Sequence, residues 1–374
     1  MGTARLIYAA SESDADLLYA TRLPVPDPFV WFETRGRTRV ALSPLEVDRA
    51  RRVCRETGRV DEVLAAADFL PPKGDRGAAV LIFALAKKFK FASLEVPESF
   101  PFGLAEALRK KGLAVKPRPG LFFPEREIKD KAEIVHITAA LRAAEAGMEQ
   151  AFAVLRQSRI GKGNLLSWRG APLTSERLRG EIDAVIMRAG ALPAGTIVAG
   201  GEQACDPHER GHGPLRAHQA IILDIFPRMQ RTGYFGDLTR TVVKGRPSAA
   251  LERLYDTVAE GKRWIMARTK AGADGAALHK QLTERFAQAG FPTEKRQEDG
   301  RWVGFFHGTG HSLGLEIHEP PRYGAGKFRA GTVMTIEPGL YFPGLGGVRL
   351  EDLVVIGARG ARNLTRVAEK LRVG

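Results

Sequence analysis

Residues 222–241 read ILDIFPRMQRTGYFGDLTRT. Asp224 sits inside an apolar run, AIILDIF. Asp237 follows a Tyr-Phe-Gly approach and precedes the strand-like LTRTVV. Asp is depleted from strands, and an ionised Asp is expensive to bury without a partner. Two such residues at the ends of neighbouring strand-like segments call for a shared cause.

Two further acids stand in similar surroundings, Glu337 in MTIEPGLYF and Glu351 in GVRLEDLVV. Four carboxylates cannot all be buried and charged unless cations neutralise them. Two divalent ions would carry the matching charge, with a neutral histidine completing the set. Oxygen-rich ligation with one imidazole suits Mn²⁺ or Co²⁺, with Fe²⁺ and Zn²⁺ as alternatives. Strand alternation puts Arg349 and Glu351 on one face, so the guanidinium is expected to steady that carboxylate from behind. Histidines are abundant in the same region. His208, His212, His218, His307, His311 and His318 all follow residue 200, and glycines surround His307 and His311 in HGTGHSLGLEIHEP. His136 and His279 lie on predicted helices and read as surface or packing residues.

The stretch belongs to the second of two differently patterned halves. The first 120 or so residues alternate strand and helix signals. FVWFET and TRVALS flank an Arg-Gly-Arg turn as a hairpin, and Ser43-Pro44 opens the helical PLEVDRARRVCRE. This predicts a small α/β domain over residues 1–123. A turn-rich patch from Pro117 to Pro124 precedes the second domain, residues 124–374. There KAEIVHITAALRAAEAGMEQAFAVLRQ, TSERLRGEIDAVIMRAG, ALERLYDTVAEGKRWIMART and DGAALHKQLTERFAQAG read as helices. TIVAGG, AIILDIF, RTVVKG, TVMTIEPGLYF and GVRLEDLVVI read as strands of a mainly antiparallel sheet. The fold class is therefore α+β, with a smaller α/β domain in front.

Composition excludes several classes. At 374 residues, 44% hydrophobic and 27% charged, the chain is an ordinary globular one sized for two domains. Its net charge of +14 keeps nucleic acid in view, but the basic residues are scattered and no zinc-finger or aromatic RNA-binding signature accompanies them. Cys54 and Cys205 match no metal or disulfide spacing. No export signal or membrane span is visible, so a cytoplasmic protein is expected.

The motifs together resemble the M24 metallopeptidases of pita-bread fold, in particular prolidases and Xaa-Pro aminopeptidases with a creatinase-like N-terminal domain. The resemblance covers essentially the whole chain, with REIKDKAEI as the hinge helix. It implies the ligand order Asp224, Asp237, His311, Glu337, Glu351, with Asp237 and Glu351 bridging two metal ions. It also implies that His318 stabilises the reacting group, that His208 touches substrate and that His307 lines the pocket. Glu337 would carry the proton. Arg322, four residues after His318, would approach the carboxylate of an Xaa-Pro dipeptide. The implied activity is hydrolysis of the bond between an N-terminal residue and proline, in a cytoplasmic homodimer. Two departures stand out. The Asp224–Asp237 interval is two residues longer than the commonest pattern, and Asp-Ile-Phe replaces Asp-x-Gly. The loop PRMQRT is thus expected to reshape one rim of the pocket. The alternatives are an M24-fold enzyme acting on a non-peptide substrate, or a non-catalytic protein of this fold that binds nucleic acid.

Overall fold

The computed structural model describes residues 2–374. The chain divides into two compact units, one ending at Arg126 and the other running from Glu127 to Gly374.

The first unit is a six-stranded mixed sheet of β1 (Gly2–Ala9), β2 (Phe29–Thr34), β3 (Arg37–Leu42), β4 (Glu62–Ala65), β5 (Phe91–Pro97) and β6 (Ala114–Arg118), ordered β4-β3-β2-β1-β5-β6. The hairpin between β2 and β3 turns through Arg35 and Gly36, both at positive φ (53° and 69°), as a two-residue turn matching strand twist requires. Alternation along β2 sends Val30 and Phe32 to one face, and Phe29 and Trp31 to the other. The first face packs on α3 (Ala78–Phe89) and α4 (Phe102–Lys110), the second on α1 (Ala15–Thr21) and α2 (Pro44–Thr57). Helices therefore cover both faces of the sheet.

The second unit holds two helix pairs against antiparallel sheets. α5 (Lys131–Gln157) starts in a capping box between Asp130 and Glu133. Residues 126–134, the expected hinge helix, do not form one helix: a short 3₁₀ turn ends at Glu127, α-helix begins only at Lys131, and the division between the units falls within the segment. α5 packs on α6 (Ser175–Arg188) at Gly147, where an added Cβ would come within 3.0 Å of Ile182. α7 (Ala249–Met266) meets α8 (Gly275–Gln288) at Gly261, where a Cβ would lie 2.5 Å from the Phe286 ring.

The strand Ile221–Ile225 is central in a three-stranded antiparallel sheet between Ile197–Gly200 and Leu238–Val242. Its register pairs Asp224 with Thr239 and Ile225 with Leu238. A five-stranded antiparallel sheet contains His311–Ser312, Glu319–Arg322, Val333–Ile336, Asp352–Ile356 and Ala361–Asn363. The segment leading into Asp352–Ile356 is stitched to the three-stranded sheet where the Glu351 amide donates to the Thr239 carbonyl (3.1 Å) and the Arg349 amide to the Thr241 hydroxyl (2.9 Å). That seam brings the first two acids to the last one. Among the described residues, no helix is long and apolar enough to cross a membrane.

Candidate metal centre

Strand register decides the first part of the site. Asp224 faces Thr239, and Asp237, two residues before Thr239, projects to the same face. Glu351 arrives across the seam, where its Oε2 accepts the Thr239 hydroxyl at 2.7 Å. His311 comes from the adjoining sheet, its amide donating to Thr335 Oγ1 at 3.0 Å. Asp237, His311 and Glu351 are buried, and each offers a ligand atom within 4.8 Å of the others. His311 Nδ1–H donates to the Ser312 carbonyl at 3.2 Å, which leaves Nε2 to face the acids. Nε2 lies 3.4 Å from Glu337 Oε1 and 3.7 Å from Asp237 Oδ2.

All nine residues singled out in the sequence line one cavity of about 510 Å³. Asp224, Asp237, His311, Glu337 and Glu351 share it with His208, His307, His318 and Arg322. The His318 ring stands edge-on to His311, with centroids 4.4 Å apart. His212 and His218 lie outside the cavity. His218 instead accepts the Arg246 amide through Nδ1.

The electrostatics of this cluster call for positive charge. Burial, followed by the charges of Glu351, Asp224 and Glu337, pushes the Asp237 carboxyl well above the usual range. Glu351 moves the same way, through burial and then Glu337 and Asp224. Burial lifts Glu337 to about 7 and holds the His311 ring down at about 3. The Arg349 guanidinium is buried within the cluster. Burial works against its charge, yet Tyr341, Asp224 and Glu337 together raise its pKa. Asp224 Oδ1 is buried without a hydrogen-bond partner. An orphaned carboxylate oxygen among mutually repelling acids, beside an unprotonated imidazole nitrogen that faces carboxylate oxygens, fits a divalent cation.

Two expectations change, and a third resolves to one of its alternatives. Arg349 steadies Asp224 (Nη2 to Oδ2, 2.7 Å), while Glu351 leans on Thr239. The loop PRMQRT lies away from the cavity: Arg228–Met229 pairs with Ala191–Leu192, and the lining takes only the preceding Phe226. Of the two roles open to His279, surface or packing, it takes the second: its ring is half-buried against Phe305 and Thr309.

The sequence reading missed Tyr341, whose hydroxyl takes a bond from Arg349 Nη1 (3.0 Å) and meets His307 Nε2 (2.8 Å). Its place four residues after Glu337 was the available signal, but in EPGLYF it looks like strand core. Asp206 and the wall of Ile197, Phe226, Phe306 and Ile317 were also missed.

Comparison with known proteins agrees with this arrangement. The profile of Metallopeptidase family M24 matches residues 135–358. An Xaa-Pro dipeptidase of Pyrococcus horikoshii is 29% identical over 287 residues, 75% of this chain and 74% of its own length. An Xaa-Pro aminopeptidase 1 of Streptomyces coelicolor is 30% identical over 302 residues, 73% of this chain and 58% of its own length. The crystal structure of an X-Pro aminopeptidase from Thermotoga maritima superposes with a TM-score of 0.81, covering 99% of this chain and 97% of that one at 21% identity. That likeness shows the fold: an α+β pita-bread unit preceded by a smaller α/β unit.

Proposed function

The chain belongs to metallopeptidase family M24, and from that premise we propose that it is an Xaa-Pro peptidase, hydrolysing the bond between an N-terminal residue and proline. The observation that carries the reading is the buried cluster of Asp237, His311 and Glu351, opening with Asp224 and Glu337 into one cavity beside His318 and Arg322. Family and cluster together imply use of a divalent metal. The finer proposal is two ions, Mn²⁺ or Co²⁺, held by Asp224, Asp237, His311, Glu337 and Glu351. Bound there, such ions would polarise the scissile carbonyl and lower the pKa of water.

The chain's own residues supply the rest. Glu337 carries the proton, taking it from the attacking water onto a carboxylate oxygen and delivering it to the prolyl nitrogen. That nitrogen is tertiary and must be protonated before it leaves. The Thr335 hydroxyl, 3.3 Å from Glu337 Oε1, orients the carboxylate. His318, its pKa lowered by burial, is neutral near pH 7 and can donate its N–H to the oxygen of the tetrahedral intermediate. His208 and His307, which line the same cavity, hold substrate there. Arg322 offers a guanidinium to a dipeptide's C-terminal carboxylate. Ile197, Phe226 and Phe306 give the cavity apolar walls that exclude water.

The reading extends to a cytoplasmic homodimer whose first unit is the creatinase-like domain, which light scattering at several concentrations tests. The activity is tested by incubating Mn²⁺- or Co²⁺-loaded protein with Ala-Pro, Ala-Pro-Ala and Met-Ala. Cleavage of the first two supports the reading. Cleavage of Met-Ala alone moves the chain toward methionine aminopeptidase chemistry, and no cleavage removes the peptidase assignment.

A further inference from the structure

His279 takes no part in the chemistry above, yet it is built into the site's foundation. It lies on α8 at the edge of the buried stripe of Leu278, Leu282 and Phe286. The start of that helix is pressed against the five-stranded sheet: a Cβ on Gly275 would lie 1.8 Å from the Tyr323 carbonyl oxygen. So anchored, α8 directs the imidazole at the loop joining His307 to His311. Nδ1 meets Thr309 Oγ1 at 2.8 Å, and Thr309 is completely buried. The Thr309 carbonyl in turn accepts the Glu337 amide at 2.8 Å. One residue on, Gly310 passes so near the neighbouring strand that a Cβ would lie 2.0 Å from the Thr335 carbonyl oxygen. The other side of the His279 ring packs on Phe305 (5.2 Å), which stands edge-on to His307 (5.1 Å). Burial lowers the His279 pKa, which favours the uncharged ring.

We propose that His279 is a positioning residue, which through the Thr309 hydroxyl fixes the His307–His311 loop against the backbone of Glu337. The inference rests on the peptidase reading for its kinetic consequence but not for its geometry. A loop joining two functional histidines through Gly308 and Gly310 has little conformational restraint of its own. A buried hydroxyl with a fixed partner supplies that restraint, and supporting groups of this kind determine how well a proton carrier is aimed.

The test uses the full chain as wild type, His279→Ala, His279→Asn, Thr309→Val and the His279→Ala/Thr309→Val double variant. Steady-state hydrolysis of Ala-Pro is read with bound metal per chain and Tm. Hydrogen exchange at the Glu337 amide is read in chelated protein. We expect His279→Ala to lower kcat roughly 10–100-fold, the scale of losing a supporting group, with KM within about twofold and metal content unchanged. Asn, whose amide can reach the place of Nδ1, should restore most of the rate. The double variant should be no worse than the poorer single one, as for two members of one contact. Glu337 amide exchange should accelerate in the Ala variant while amides in α5 stay as in wild type. Wild-type kcat in His279→Ala, an Asn variant no better than Ala, or additive losses would overturn the proposal. If wild type leaves Ala-Pro intact, the peptidase reading falls, and the exchange result alone decides the positioning role.

Discussion

Arg349 divides the two oxygens of Asp224 between different tasks. Its Nη2 lies 2.7 Å from Oδ2, while Oδ1 is left buried and without a partner. The same guanidinium reaches Tyr341 through Nη1, so its plane is fixed at both ends. Asp224 is thereby held in one orientation, with one oxygen spent on the protein and one available to a cation.

Replacing Arg349 with Met should therefore weaken metal binding by roughly 10–100-fold, as loss of an outer partner of a ligand does. Arg349→Lys should recover little, because an ammonium cannot span Asp224 and Tyr341 in one plane. Calorimetric Mn²⁺ titration of both variants checks this, and unaltered affinity in the Met variant contradicts it.

Asp237→Asn should remove bound metal and lower turnover about a thousandfold or more, the scale of losing a group the chemistry depends on. Asp237 shares its cluster with both His311 and Glu351, and all three are buried. Metal content by elemental analysis and kcat on Ala-Pro should fall together. A variant that keeps its metal and its rate contradicts the assignment of Asp237 as a ligand.

Metal removal should make stability depend on pH with a definite sign. Burial raises Glu337 to about 7 from an ordinary value near 4.5. Between those pH values the folded, metal-free chain keeps a proton that the unfolded chain has released. Stability must then fall as pH rises through the window. Asp237 and Glu351 are shifted in the same direction and add to the fall. A divalent ion removes the repulsion, so the Tm gap between metal-loaded and chelated protein should widen steadily from pH 5 to pH 8. A gap that stays constant or narrows would show that these carboxylates are not the source of the strain.

Much of this centre was legible because burying charge is costly. Asp224 inside AIILDIF and Glu351 inside GVRLEDLVV make little sense as core residues, and a shared cation resolves all four acids together. The hairpin and helices were legible from period, turn residues and caps, such as Arg35-Gly36 and Thr174. What the sequence hid was which face meets what. Helical period placed His279 on α8 but not its neighbour 30 residues on, Thr309. Arg349 alternates onto the same side as Glu351, yet its long side chain reaches Asp224, 125 positions away. Phe226 and Phe306 carry the composition of core residues, and only the tertiary arrangement turns them into a cavity wall.

The choice between dipeptides and longer peptides turns on Arg322. It lies on the strand Glu319–Arg322 opposite His311, is exposed, and lines the cavity. Glu319, on the same strand, does not pair with it, because that carboxylate is fully engaged elsewhere: its Oε2 takes Lys129 at 2.8 Å, and its Oε1 takes the amides of Leu315 and Glu316. Among the described residues no carboxylate bridges Arg322, so its guanidinium is open to an anionic ligand. A dipeptide ends one residue past the scissile bond, which puts its free carboxylate inside the cavity. A tripeptide has a neutral amide there and gains less. Arg322→Ala should thus cost about 1.5–3 kcal/mol in transition-state binding for Ala-Pro, the scale of a charge-assisted hydrogen bond. Ala-Pro-Ala should lose much less. Because Arg322 is exposed, high salt should narrow the wild-type preference by screening the pair. Measuring kcat/KM for both substrates in both proteins decides the matter. Equal losses on the two substrates would remove the carboxylate role, and a wild-type preference for the tripeptide would make the chain an aminopeptidase.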